Sequence, residues 1–221
     1  MRKETNSFGR FYTDQGLYDR SEKLYKALLE EDIESLDISN VNRLQSMANL
    51  ASTYRNQGRW KEAEELDVQL DVQVMETSSR VLGEEHPGTL TSMANLASTY
   101  RNQGRWKEAE ELFMQVMEIR KRVLGEEHPG TLTSMTNLAS TYRNQGRWKE
   151  AEELEGQVIE TSSRVLGEEH PDTLASMNNL AFIFKSQGCS AKAISLMEQC
   201  VRLEIMFLVL SILICYSLSI S

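Results

Sequence analysis

Two near copies of one 42-residue string stand side by side in this chain: Gly88 to Pro129 and Gly130 to Pro171 share 35 of 42 residues. A diverged form precedes them and a partial form follows. A period of roughly 20–50 residues is the mark of a solenoid or array, so the structure of the unit decides the fold. Within it, Leu90, Met93, Leu96, Ala97 and Tyr100 recur at helical spacing, as do Ala109, Leu112, Phe113, Val116, Ile119 and Val123. Between the stripes lies Asn102-Gln103-Gly104-Arg105, where Gly104 tolerates the positive φ of a tight helix–helix turn. In Leu124-Gly125-Glu126-Glu127-His128-Pro129, Gly125 suits a helix end and Pro129 the first turn of the next helix. Each unit is therefore a helical hairpin, which buries its apolar face only by stacking on neighbours.

Met93, Leu96, Ala97 and Tyr100, then Ala109 and Phe113, then Pro129, keep the spacing of the tetratricopeptide repeat signature. The chain resembles that family over roughly residues 8–204. Its unit has 42 residues rather than the usual number of about 34. The added residues lengthen the second helix by about 12 Å. This long form, closing on Leu-Gly-Glu-Glu-His-Pro, is similar to the kinesin light chain subtype and to repeat arrays of fungal NLR-like receptors. The resemblance implies an all-α, TPR-type α-solenoid, a right-handed superhelix of helical hairpins.

A formal net charge of −9 argues against nonspecific nucleic-acid binding. Cys189, Cys200 and Cys215 lack metal-ligand spacing and read as reduced thiols of a cytoplasmic protein. The first residues have no apolar run behind them, so no signal peptide is expected.

The turn glycines Gly16, Gly58, Gly104, Gly146 and Gly188 set the register. Residues 1–40 read as a degenerate or truncated N-terminal repeat, residues 41–204 as an array of about four repeats, and residues 205–221 as a hydrophobic tail. In the first repeat Ser21, Tyr25 and Leu28 stand at the positions of Ala109, Phe113 and Val116, and Leu36 to Asn40 replaces the closing loop. This is either a cap or the cut end of a longer array. The second repeat carries four extra residues, Asp67 to Leu70 being followed by the similar Asp71 to Val74. They add about 6 Å and rotate later side chains by about 40°, which a helix absorbs with modest repacking. In the fourth repeat Glu155 replaces the aromatic of Phe113, leaving Leu154 as the expected anchor, and Gly156 costs about 1 kcal/mol of helix propensity. The tail has three readings: a membrane anchor near the lower length limit, an apolar cap, or translation past the reading frame.

No catalytic constellation and no phosphate loop is present, so no enzyme and no cofactor is expected. His86, His128 and His170 recur once per repeat, too far apart to share one metal, and read as residues near helix N-termini. Trp60, Trp106 and Trp148 open second helices and are expected to pack in core or turn. The face opposite the apolar stripe repeats as ladders: Asn49, Asn95, Asn137 and Asn179; Ser52, Ser98 and Ser140; Arg55, Arg101, Arg143 and then Lys185; with Asn102 and Asn144 beside them. Arginines make bidentate contacts with carboxylates, and asparagine amides pair with an extended backbone. The resemblance implies that such residues bind peptide cargo in a concave groove. The expected function is a protein–protein interaction scaffold for an acidic or polar segment, with membrane contact only if the tail is an anchor. The alternatives are a ligand-sensing arm of an NLR-like signalling NTPase and a kinesin light chain-like cargo adaptor.

Overall fold

The computed structural model describes the backbone of residues 2–33 and 41–218, and the side chains of residues 8–30 and 43–206. Regular structure among the described residues is helical throughout. It falls into two compact units, Met1–Gly104 and Arg105–Ser221. Unit 1 holds α1 (Arg2–Asp14), α2 (Tyr18–Ile33), α3 (Val41–Asn56), α4 (Trp60–Leu82) and α5 (Pro87–Asn102). Unit 2 holds α6 (Trp106–Leu124), α7 (Pro129–Asn144), α8 (Trp148–Val165), α9 (Pro171–Ser186) and α10 (Ser190–Leu218). Within each unit every helix packs on its neighbours in sequence.

The hairpin chemistry is as the sequence reads. The turn glycines Gly16, Gly58, Gly104, Gly146 and Gly188 all have φ between 71° and 79°, a region that side-chain-bearing residues avoid. The next backbone N–H in four of these turns reaches back to an aromatic residue's carbonyl, as from Arg147 to Tyr142 at 2.9 Å. The histidines are N-caps: Nδ1 of His86, His128 and His170 accepts from the backbone N–H of Gly88, Gly130 and Asp172 at 3.0, 3.0 and 3.2 Å. A proline follows each cap at the first helical position, where its missing N–H costs nothing.

In unit 1 Tyr25 is fully buried among Leu28, Leu50, Tyr54 and Ala63. A Cβ at Gly9 would stand 2.4 Å from Cζ of Tyr25, so the α1–α2 contact requires a glycine. Below it Ser21 Oγ donates to the Gly9 carbonyl at 3.1 Å and shares a hydrogen bond with Thr53 at 3.2 Å. In unit 2 Phe113, Val116, Leu138, Ala139 and Ala151 are sealed from solvent.

Three expectations are corrected. The insertion of the second repeat lies inside one continuous helix, but the repacking is not modest. Ala63 is the buried residue of α4, whereas Ala109, Phe113, Val116 and Ile119 are buried in α6. A rotation of about 40° spreads the apolar stripe around the helix. It also leaves Gln73 Oε1 and Thr77 Oγ1 buried without partners. Leu154 is not the anchor of α8; Glu155 itself fills the buried seat, because the seat faces the register position and not the residue beside it. Trp60 and Trp106 are 61% and 40% exposed, since a residue at a helix start lies outside the layer between helices.

Among residues with described side chains, no helix is long and apolar enough to cross a membrane. Residues 207–221, which carry most of the uncharged tail and Cys215, lie outside those side chains. The replacement loop at Leu36 to Asn40 lies outside the described residues as well. Cys189 and Cys200 are free thiols.

Candidate functional site: the polar faces of the first helices

The first helix of each repeat buries one stripe and turns the other toward water. In α5, Leu90, Met93, Leu96 and Ala97 are buried, while Asn95 and Asn102 are exposed and Ser98 and Arg101 half-buried. In α3, Arg55 is exposed and Asn49 and Ser52 half-buried. In unit 2, Asn137, Ser140 and Arg143 of α7 are half-buried and Asn144 is exposed. In α9 Asn179 is half-buried and Lys185 exposed. The ladder residues fall in both units, Asn49 to Asn102 in unit 1 and Asn137 to Lys185 in unit 2.

The two sets differ in what surrounds their cations. In unit 1 Arg55 Nη1 lies 2.6 Å from Asp67 Oδ2, so an acid of the second helix occupies it. Asn49 accepts from Gln45 at 3.1 Å, and its own Nδ2 is buried without a partner. Between α4 and α5 a cleft of about 350 Å³ is lined by Glu64, Asp67, Asp71, Asn102 and neighbours. Thr99 donates to Asp71 across it at 2.7 Å. Burial raises the Asp71 carboxyl above its ordinary range against that hydrogen bond.

In unit 2 Glu155 holds the register position of Asp67 but is 1% exposed. Burial pushes its carboxyl up to about 8, against the hydrogen bond from Asn179 and the charge of Arg143. Its Oε2 has no partner. Arg143 lies over the ring of Phe182 at 4.9 Å, a cation–π contact between α7 and α9. Arg143, Asn179, Phe182 and Glu155 therefore meet. A second cleft of unit 2, of about 170 Å³, has Asn137, Thr133, Thr136 and Ser176 on its wall. Sequence reasoning missed two members of this group. Phe182 was detectable as the aromatic that breaks the Ser52, Ser98, Ser140 ladder. Glu155 was detectable as an acid in an aromatic's place.

These faces present amide, hydroxyl and guanidinium groups. Among the described residues no group of three His, Cys, Asp or Glu could hold a metal ion.

The tetratricopeptide repeat family matches residues 4–70, 68–122 and 92–162. No curated protein matches the chain. Among solved structures, the chain is similar to a kinesin light chain-like protein of Podosopora anserina with nearly identical TPR-like repeats. Identity is 32%, 93% of this chain and 95% of that one are covered, and the TM-score is 0.65. A singly substituted form of that protein gives the same identity and coverage with a TM-score of 0.66. BtubC (BKLC) from P. vanneervenii shares the fold at 18% identity, with 93% of this chain and 80% of that one covered and a TM-score of 0.59. The helical hairpins, their turn glycines and these relatives agree: the chain is a TPR-type α-solenoid and belongs to the tetratricopeptide repeat family, in its kinesin light chain-like form.

Proposed function

We propose that this chain is a non-enzymatic scaffold that holds an extended peptide or protein segment against the polar faces of its first helices. The acidic part of that segment lies on the face formed by Arg143, Asn179 and Lys185. One observation carries this reading: where unit 1 sets Asp67 against Arg55, unit 2 withdraws the matching acid, Glu155, into the core. With its carboxyl raised to about 8, Glu155 is uncharged at neutral pH and offsets no cation. The charge of Arg143, held in place on Phe182, is then available for a ligand carboxylate. The asparagines supply amides for the ligand backbone. The faces of unit 1, with Asp67 and Asp71 at hand, are less suited to a ligand carboxylate. The kinesin light chain-like form of the repeats fits a protein-binding scaffold, and a cytoplasmic location is part of the proposal.

Fluorescence anisotropy with a labelled, alternating glutamate–serine peptide tests this. Arg143→Glu combined with Lys185→Glu is expected to weaken binding at least tenfold with far-UV circular dichroism unchanged, and Arg101→Glu to weaken it less. Equal affinity of wild type and double variant, or equal affinity for a lysine–serine peptide, would refute the assignment.

A further inference from the structure

Adjacent hairpins within each unit are joined by one repeated polar clamp. The glutamine at the end of a first helix and the arginine after the turn reach back to a glutamate on the preceding second helix. Gln57 and Arg59 meet Glu22 at 3.3 and 2.7 Å. Gln145 and Arg147 meet Glu110 at 2.8 and 2.6 Å, and Gln187 meets Glu152 at 3.1 Å. Beside the clamp lies a sealed layer: Leu50 and Thr53 in unit 1, Leu138 and Thr141 in unit 2, with Phe113 and Glu155 on the second helices.

The same register positions are filled differently on α1 and α10. In α1, Phe8 and Phe11 take the places of Leu138 and Thr141 and are 57% and 56% exposed. Leu17 takes the place of Arg147 and is also exposed. In α10, Ile194 takes the place of the clamp glutamate and Met197 the place of Phe113. Together with Val201 they are 59%, 51% and 49% exposed, beside an open apolar cleft of about 720 Å³. A solenoid face turned to water is normally polar. Here the charged members of the clamp are exchanged for large apolar side chains on both mating faces. Such contiguous apolar exposure marks an interaction surface.

We infer that α10 of one molecule docks on α1 of a second copy, continuing the stack of hairpins head to tail, with Ile194 against Leu17 and with Met197 and Val201 against Phe8 and Phe11. The matched exchange selects this occupant. A foreign first helix carrying the clamp arginine would find Ile194 where it needs a carboxylate. A foreign second helix carrying the glutamate would find Leu17 where it needs a guanidinium. Gln15 keeps the clamp's glutamine and has a backbone acceptor to reach at Ser190, the position at which Gln145 donates to the Trp106 carbonyl at 3.2 Å. The contact joins different surfaces of identical subunits, so it is heterologous and can propagate.

Sedimentation velocity of the full chain over a concentration series tests the inference, with Phe8→Glu and Met197→Glu as variants. The wild type is expected to grow past the dimer as concentration rises. Each variant alone has one blocked face and is expected to stay monomeric, its association constant lowered more than about 100-fold by a charge buried without a partner. An equimolar mixture of the two variants pairs the intact α10 of one with the intact α1 of the other, giving a dimer and nothing larger. Both sites are exposed, so circular dichroism is expected to be unchanged; Phe11→Glu and Ile194→Glu form a second pair if either variant is misfolded. A monomeric wild type, a variant that self-associates alone, or a mixture that stays monomeric would each overturn the inference.

Discussion

The second helices α6 and α8 descend from nearly the same sequence, yet they put opposite chemistry into one seat. Phe113 in α6 is fully buried, and Glu155 at the same register position in α8 is almost equally so. Each seat is packed on the first helix that follows it, α7 or α9, and it closes over phenylalanine and glutamate alike; the residue must adapt. Phenylalanine does so by filling it; glutamate does so by keeping its proton. The sharpest way to break this comparison is to empty the apolar version. Phe113→Ala is expected to cost about 3–5 kcal/mol, the range for a fully buried aromatic, measured by urea denaturation. A cost below about 1 kcal/mol would mean that the seat collapses freely and that its shape constrains nothing.

The acidic version of the seat has a pH signature. Glu155 is raised from an ordinary value of 4.5 to about 8 by burial, opposed by the Asn179 hydrogen bond and the Arg143 charge. Between these values the folded chain holds a proton that the unfolded chain has released, so stability falls as pH rises through that window. Below it both states are protonated and above it both are ionised. Glu155→Gln removes the proton from the balance. Thermal melts are expected to show the wild type losing stability from about pH 4.5 to 8, with the variant nearly flat there. The variant's advantage at pH 9 is on the order of a few kcal/mol. Parallel pH profiles would show that the carboxyl reaches water.

Much of the fold was legible because hairpins advertise themselves. The turn glycines, the His-Pro helix starts and the two apolar stripes each carry a local physical cause, and local causes survive in a sequence read alone. The hydroxyl layer of Ser21 and Thr53 and the depth of Glu155 did not, because burial at one position depends on neighbours in the adjacent repeat. Leu154 looked like the natural anchor to a reader counting apolar residues; the register, fixed by Gly146, points Glu155 inward instead. For the candidate site the ladders were visible as spacing. The pairing of Arg55 with Asp67, and the stacking of Arg143 on Phe182, needed the structure.

Glu22 sharpens the contrast from the other side. It is half-buried where Glu155 is sealed, and burial alone would raise it, but hydrogen bonds from Lys26, Arg59 and Gln57 hold it down to about 2. Its stabilisation is present above the ordinary value of 4.5 and fades as pH falls toward about 2. Glu22→Gln is expected to cost about 1–2 kcal/mol at pH 7 and little at pH 2. The check is a pair of urea titrations at those two conditions. One acid thus weakens the fold as pH rises and the other as it falls, and the difference lies in whether cations reach the carboxyl.

The smallest effect is expected where the same register position opens to solvent. Asp67 pairs with Arg55 at 2.6 Å, but both side chains are about a third or more exposed, at 32% and 42%. Water and salt screen such a pair, and holding two long side chains together costs entropy. Asp67→Asn is therefore expected to change stability by less than about 1 kcal/mol, and the change should disappear in high salt. Shortening the acid by one methylene keeps the carboxylate near the surface, where a cation can meet it. Asp67→Glu asks whether reach alone decides the outcome. If the longer side chain is drawn into the core of unit 1, a pH slope like that of Glu155 should emerge. If the α4 insertion has already opened the seat, the added methylene should leave the profile unchanged.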